Sequence, residues 1–232
     1  MNILAFDTCF DACSAAAGRG VRSLTPSISF VSEPMATGHA EHLMPMIESV
    51  MQDVGLAFTA LDRIAVANGP GTFTGARIAI AAARALALAS GAPIVAYTSL
   101  NLMAMSPAIP AARSRRVGVA TDARRGEVYL QIFDRHSLAP EGPPCVLAVN
   151  DAAAALLGDS VTLAGTGARA LASVAQSAGL DVDAILPDLL PDAIDMLFAA
   201  GEAPTSRNVL PLYLRPPDAK PPTVRSISRF GA

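Results

Sequence analysis

Eleven residues, Asn68-Gly69-Pro70-Gly71-Thr72-Phe73-Thr74-Gly75-Ala76-Arg77-Ile78, restrict what this chain can fold into more than any other stretch. Before them lies Ile64-Ala65-Val66-Ala67, a short apolar run of the buried-strand type. After them, helix formers continue from Ala76 to Ala89 until Gly91-Ala92-Pro93 stops them. The segment reads strand, glycine loop, helix, which is a unit of an α/β protein. Such a junction aims free backbone N–H groups and the positive end of a helix dipole at whatever lies above it. Gly69, Gly71 and Gly75 have no Cβ, so either a phosphate or another backbone segment can come close. The Gly-Lys-Ser/Thr ending of a P-loop and the glycine spacing of a dinucleotide site are both absent.

The 232 residues suit one large domain or two small ones sharing an interface, and 52% are apolar, enough for a sizeable core. A net charge of −3 gives no general affinity for polyanions. Cys9, Cys13 and Cys145 form no spaced disulfide framework, which suits a reducing, cytoplasmic setting. A zinc site at Cys9 and Cys13 needs His39, His42 or His136 to fold back onto them. Asp7 interrupts the N-terminal apolar run before it is long enough for a signal peptide. Ala85 to Ala112 carries no charge, but Gly91, Pro93, Asn101, Pro107 and Pro110 would repeatedly break a membrane-spanning helix there. The chain is expected to be soluble, with no membrane partner.

In chain order, strands are expected at 2–6, ending in Asp7-Thr8, at 13–17 and at 27–32, as an antiparallel meander. A helix follows from about His39 to Val54, with Thr37 as N-cap and Pro45 as a kink or its true start. Leu43, Ile47, Val50 and Val54 form its stripe, with Met44 and Met51 beside it, a wider apolar arc than one sheet needs. The strand at 64–67, the helix at 76–89, a strand at 94–96 and a short helix at 100–105 complete a β-β-β-α-β-α-β unit. On the helix after the glycine loop, Ile78, Ala82, Ala85, Leu86 and Ala89 are expected on the sheet. Arg77, Ile80, Ala81, Arg84 and Leu88 fall on the opposite face. Two arginines are too little polarity for a free surface, so that face should also be covered.

The expected organisation is an N-terminal half at 1–106, a linker at 107–116, a smaller α/β half at 117–203 and an extended tail at 204–232. In the second half, strands at 117–121 and 128–133 flank the charged turn Asp122-Ala123-Arg124-Arg125-Gly126-Glu127. A strand at 161–164 leads into Gly165-Thr166-Gly167 and a helix to Ala178, and a last helix spans 188–200. Asp122, Arg124 and Glu127 read as a solvated hairpin more readily than as an acid–base pair. His39 and His42 share a helix face but lack a third ligand, so they read as a polar helix start. Ser99, Ser106 and Ser114 have no hydrolase context. The arginines at 113, 115, 116, 124 and 125 offer a modest phosphate-contacting patch.

Five separated segments agree on one resemblance. They are Asn2–Thr8, His39-Ala40-Glu41-His42-Leu43-Met44-Pro45-Met46-Ile47, Asn68–Ile78, Asp122–Tyr129 and Pro211-Leu212-Tyr213-Leu214-Arg215. In this order they resemble the TsaB family of bacterial tRNA threonylcarbamoyladenosine synthesis. The resemblance implies an α/β actin/hexokinase-like (ASKHA) fold of two related halves, the second reduced. It also implies kinship with TsaD, which transfers the threonylcarbamoyl group to adenosine 37 of tRNA. In such folds an Asp at the end of the first strand helps hold a metal-bound nucleotide. Asp7, Thr8, Gly69, Gly71 and Gly75 are therefore the candidate phosphate or nucleotide contacts. Where TsaD has a His-x-x-x-His metal site, this chain reads Val95-Ala96-Tyr97-Thr98-Ser99-Leu100-Asn101, with no histidine. The expectation is a non-catalytic paralogue with no catalytic residue, metal or cofactor of its own, ATP or ADP being left to the complex. Its expected partners are TsaD, a TsaE-type ATPase and, through the complex, tRNA, with pairing to its own copy when alone. Leu43, Met44, Met51, Arg77, Ile80, Ala81, Arg84 and Leu88 are the expected TsaD interface. The competing expectations are a glycoprotease-like metallopeptidase and a small-molecule kinase, the latter needing phosphate loops in both halves.

Overall fold

The computed structural model describes residues 1–109, 114–206 and 208–215. It contains two five-stranded sheets of one topology. The first runs β3 (Ser27–Pro34), β2 (Ala12–Arg19), β1 (Ile3–Phe10), β4 (Arg63–Ala67), β5 (Ile94–Tyr97). The second runs β8 (Cys145–Ala148), β7 (Glu127–Asp134), β6 (Arg116–Asp122), β9 (Val161–Ala164), β10 (Val182–Leu186). In each, three antiparallel strands are followed by two parallel ones on the other side of the first strand. Helices fill the same two crossovers in both halves: α1 (His39–Asp53) and α2 (Phe73–Ser90), then α4 (Val149–Ala154) and α5 (Ala168–Ser177). This duplicated unit is the actin/hexokinase-like fold. Its second copy is reduced, with crossover helices of 6 and 10 residues against 15 and 18.

Alternation along the strands builds the layers. On one face of the first sheet Leu4, Phe6, Ala15, Ala17, Ile64 and Val66 pack under α1 and α2. On the other, Ile3, Ala5, Ala16 and Ala65 meet Leu102 of α3 (Ser99–Met105) and Met196 and Leu197 of α6 (Ala193–Ala199). Helix α3 also contributes Leu100 and Met103 to a core with Val117, Val119 and Phe133 of the second sheet. The far face of that sheet packs on α4 and α5. The alanine-rich β2 is a poor strand by propensity, and its place between two helical layers decides its conformation.

Several local expectations are corrected. Strand β1 continues through Asp7 and Thr8 to Phe10, with an irregular register between Asp7 and Phe10, so Asp7 lies inside a strand. Helix α1 is capped by Gly38 at φ 90°, not by Thr37, and Pro45 lies inside it. Helix α2 starts earlier than Ala76 because Thr72 caps it, its hydroxyl accepting from Gly75 N at 3.0 Å. Strands β8 and β10 and helix α4 were not anticipated. The last helix begins at Ala193 behind the Asp192 cap, since Pro191 disfavours helical backbone at its predecessor.

Helix α6 follows the second sheet in sequence but packs on the first. The segment after Pro204 is also anchored there: Ser206 N donates to Ile94 O at 2.7 Å and Leu212 N to Asn68 O at 2.8 Å. Residues 207 and 216–232 of the expected tail and residues 110–113 of the expected linker lie outside the described residues.

Candidate functional site

The glycine loop is occupied by the protein itself. A Cβ on Gly71 would stand 2.3 Å from Cys9 O, and one on Gly75 1.9 Å from Thr8 O. Thr72 N donates to Cys9 O at 2.7 Å, and Thr8 Oγ1 donates to Gly75 O at 2.7 Å. Gly69, at φ 102°, lies against the backbone of Leu212. Of the two approaches that these glycines permit, the backbone approach is the one realised. The second half repeats the device: a Cβ on Gly165 would meet Ala120 O at 2.4 Å, Gly167 N donates to Ala120 O, and Thr166 Oγ1 accepts from Asp122 N.

Asp7 is fully buried beside this loop. One carboxylate oxygen accepts from Cys9 N at 3.2 Å, and the other, Oδ2, has no hydrogen-bond partner among the described residues. Burial pushes its pKa up to about 7, with Asp192 adding repulsion. Thr8, also fully buried, spends its hydroxyl on Gly75. In the Tyr97–Asn101 segment, Thr98 caps α3, the Tyr97 hydroxyl is buried without a partner among the described residues, and the Ser99 hydroxyl is buried beside the Cys9 thiol. Among the described residues no three His, Cys, Asp or Glu side chains converge as a metal set. His39 is buried, with Nε2 2.8 Å from Phe10 O, tying the start of α1 to the end of β1. His42 stands 3.8 Å from Glu33 at the surface.

A cleft of about 640 Å³ opens between the halves. Its walls come from the end of β1 (Phe10, Asp11), the glycine loop (Gly71–Phe73), the charged hairpin (Asp122–Arg124), Thr166 and the tail from Leu212 to Arg215. Arg124 and Arg125 take left-handed φ angles of 62° and 59°, and the Asp122 carboxylate accepts from Arg124 N at 2.7 Å. This hairpin is not simply solvated, because Glu127 pairs with Arg215 of the tail. Of the linker arginines, Arg113 lies outside the described residues, and Arg115 and Arg116 are committed elsewhere. Arg115 binds Asp134 and holds its carboxyl well below the usual range. Arg116 binds Glu141 and donates to the carbonyls of Leu156 and Leu157 behind α4.

The residues expected on a partner face divide between buried and exposed positions. Leu43 and Met51 are 1% and 2% exposed and belong to the core over the first sheet, so neither is available to a partner. Ile80, expected outside, is 3% exposed: Ala76, Ala79, Ile80 and Ala83 form the buried stripe of α2. Ile78, Ala82 and Leu86 are half-buried at its flank, and Ala85 and Ala89 are exposed. Arg77, Ala81, Arg84 and Leu88 do face outward, Leu88 at 89% exposure, and Met44 is exposed on α1.

A second feature of this face was missed. Phe73 and Tyr213 stack at 5.4 Å, Arg77 lies 3.5 Å over the Phe73 ring, and Arg77 Nε donates to Tyr213 Oη at 2.7 Å. Arg84 donates to Val209 O at 2.6 Å and to Asn208. The tail therefore runs alongside α2. Its signal was the Pro211–Arg215 motif, visible in the sequence without a place to dock.

A family model described as tRNA N6-adenosine threonylcarbamoyltransferase, TsaD, matches residues 29–185. The tRNA threonylcarbamoyladenosine biosynthesis protein TsaB of Escherichia coli is 33% identical over 227 residues, covering 93% of this chain and 95% of that protein. The tRNA N6-adenosine threonylcarbamoyltransferase of Erythrobacter litoralis is 43% identical over 76 residues, 33% of this chain and 22% of that protein. Among solved structures, YeaZ from Pseudomonas aeruginosa superimposes with a TM-score of 0.77 at 31% identity, covering 92% of this chain and 99% of that one.

Proposed function

The chain belongs to the TsaB family of tRNA threonylcarbamoyladenosine biosynthesis proteins, and from that membership we propose that it is the non-catalytic partner of TsaD, pairing with it through the outward face of α2. One observation carries this reading. Helix α2 is apolar enough over 18 residues to pass for a membrane span, yet only 28% of it is buried in the single chain. In a helix that packs on a sheet, such a surface needs a second cover. The open face consists of Ala81, Ala85, Leu88 and Ala89, bordered by Arg77 and Arg84, which hold the tail, and Met44 is exposed on α1. Small residues at 81, 85 and 89 let a partner helix approach closely. A partner of the same fold offers helices in the same two positions, so the contact resembles a helix bundle built from both proteins.

The loop geometry supports a non-catalytic role. The backbone of β1 fills the space where the glycines would otherwise admit a phosphate, and no lysine stands in the loop to neutralise one. The same observation argues against a small-molecule kinase. Nucleotide chemistry, TsaE and tRNA then belong to the assembled complex, which acts in the cytoplasm. The test is calorimetry of this chain with TsaD from the same cell, alongside a tRNA modification assay with each protein omitted in turn. The reading expects a tight complex and no modification by this chain without TsaD.

A further inference from the structure

The two halves share the α3 core, but a second connection joins them at the cleft. The tail segment from Asn208 to Arg215 touches three separate elements. It lies along α2, where Arg84 takes the Val209 carbonyl, Tyr213 stacks on Phe73, and Arg77 lies over the Phe73 ring and donates to Tyr213 Oη. It is bonded to the glycine loop in both directions: Leu212 N donates to Asn68 O, and Asn68 Nδ2 donates to Leu210 O at 3.2 Å. It then reaches the second sheet, where Arg215 pairs with Glu127 at the start of β7. Residues 212–215 also line the cleft wall. Both members of the ion pair are only partly exposed, at 23% and 37% of their side-chain area.

We infer that the segment Asn208–Arg215 is a strap that bridges the halves, sets the opening of the cleft and couples it to the outer face of α2. Among the described residues, the ion pair Arg215–Glu127 spans from one half to the other within this segment. The preceding contacts fix the strap to the first half, so that pair transmits closure. The charged hairpin is the element it restrains, because Glu127 N donates to Arg124 O and Ala123 N donates to Glu127 O. Release of Arg215 therefore frees the hairpin as well as the tail. The strap exists in the isolated chain and requires no partner.

Amide hydrogen exchange on the full chain tests this with Arg215→Glu, Glu127→Arg and the double exchange of charges. Either single variant should speed exchange about tenfold at Leu212 and across Asp122–Glu127, and the double variant should return both close to wild type. Tyr213→Ala should loosen the same two regions, since it removes the anchor on Arg77. Thermal melts confirm that the variants are folded. Unchanged exchange in the single variants overturns the strap. So does acceleration confined to the tail with the hairpin unaffected, or failure of the double variant to restore protection.

Discussion

Thr8 and Gly75 hold each other closely: the Thr8 hydroxyl donates to Gly75 O at 2.7 Å, while a Cβ on Gly75 would fall 1.9 Å from Thr8 O. The end of β1 and the first turn of α2 are thereby locked across 67 residues of sequence. What looks in the sequence like a cradle for an anion is in the fold a joint between strand and helix.

Gly75→Ala should therefore destabilise the chain although alanine is the better helix former. The helical gain of about 1 kcal/mol is outweighed by overpacking against a carbonyl that cannot swing away, a net loss of about 2 kcal/mol or more. For a chain of this size that lowers the midpoint by roughly 4–8 °C. A thermal melt measures it, and a midpoint equal to wild type contradicts the close contact.

Asp7→Asn should stabilise the protein, and more so at higher pH. Burial raises the folded pKa of Asp7 from 3.8 to about 7, so between those values the folded state holds a proton that the unfolded state has lost. That contribution to stability falls as pH rises through this window and is level above it. Asparagine keeps an acceptor for Cys9 N without the charge. The midpoint difference between variant and wild type should be small near pH 4, grow to about pH 7 and then plateau. A constant difference across the range contradicts the assignment.

Mg-ATP and Mg-ADP should bind the isolated chain in the high micromolar range or more weakly. Gly71 and Gly75 are filled from β1 and Gly69 lies against the tail at Leu212, and the buried Asp7 is poorly disposed to hold a dication while protonated. Isothermal calorimetry measures this directly. A sub-micromolar constant would restore the kinase reading.

The strand-loop-helix unit and the meander before it were legible because glycines and prolines punctuate long apolar runs, whereas the two related halves came only from the family resemblance. The face of α2 was not. Alanine occupies positions on every side of it, so periodicity supplies no phase, and Ile80 rather than Ile78 proved to be the deeply buried isoleucine. Leu43 and Met51 were misplaced for a related reason: the broad arc of α1 is used by the sheet, α2 and the loop before β4 together. The short elements β8, α4 and β10 have 4 to 6 residues each, too few for a repeat to emerge. The tail's docking depends on Phe73, Arg77 and Glu127, partners more than 80 residues away that no local pattern connects to it.

Affinity for TsaD after Leu88→Glu tests the central claim most directly. Leu88 is 89% exposed in the isolated chain, so the substitution leaves the core of Ala76, Ala79, Ile80 and Ala83 untouched and the melt unchanged. In the complex it places an unpaired carboxylate in a dry contact, which should cost at least ~2 kcal/mol, about thirtyfold in affinity by calorimetry. Ala81→Glu should act alike, and Glu202→Lys, distant on the surface, should bind as wild type does. Leu88→Glu and Ala81→Glu proteins that are folded and bind TsaD as tightly as wild type would place the interface elsewhere and contradict this account.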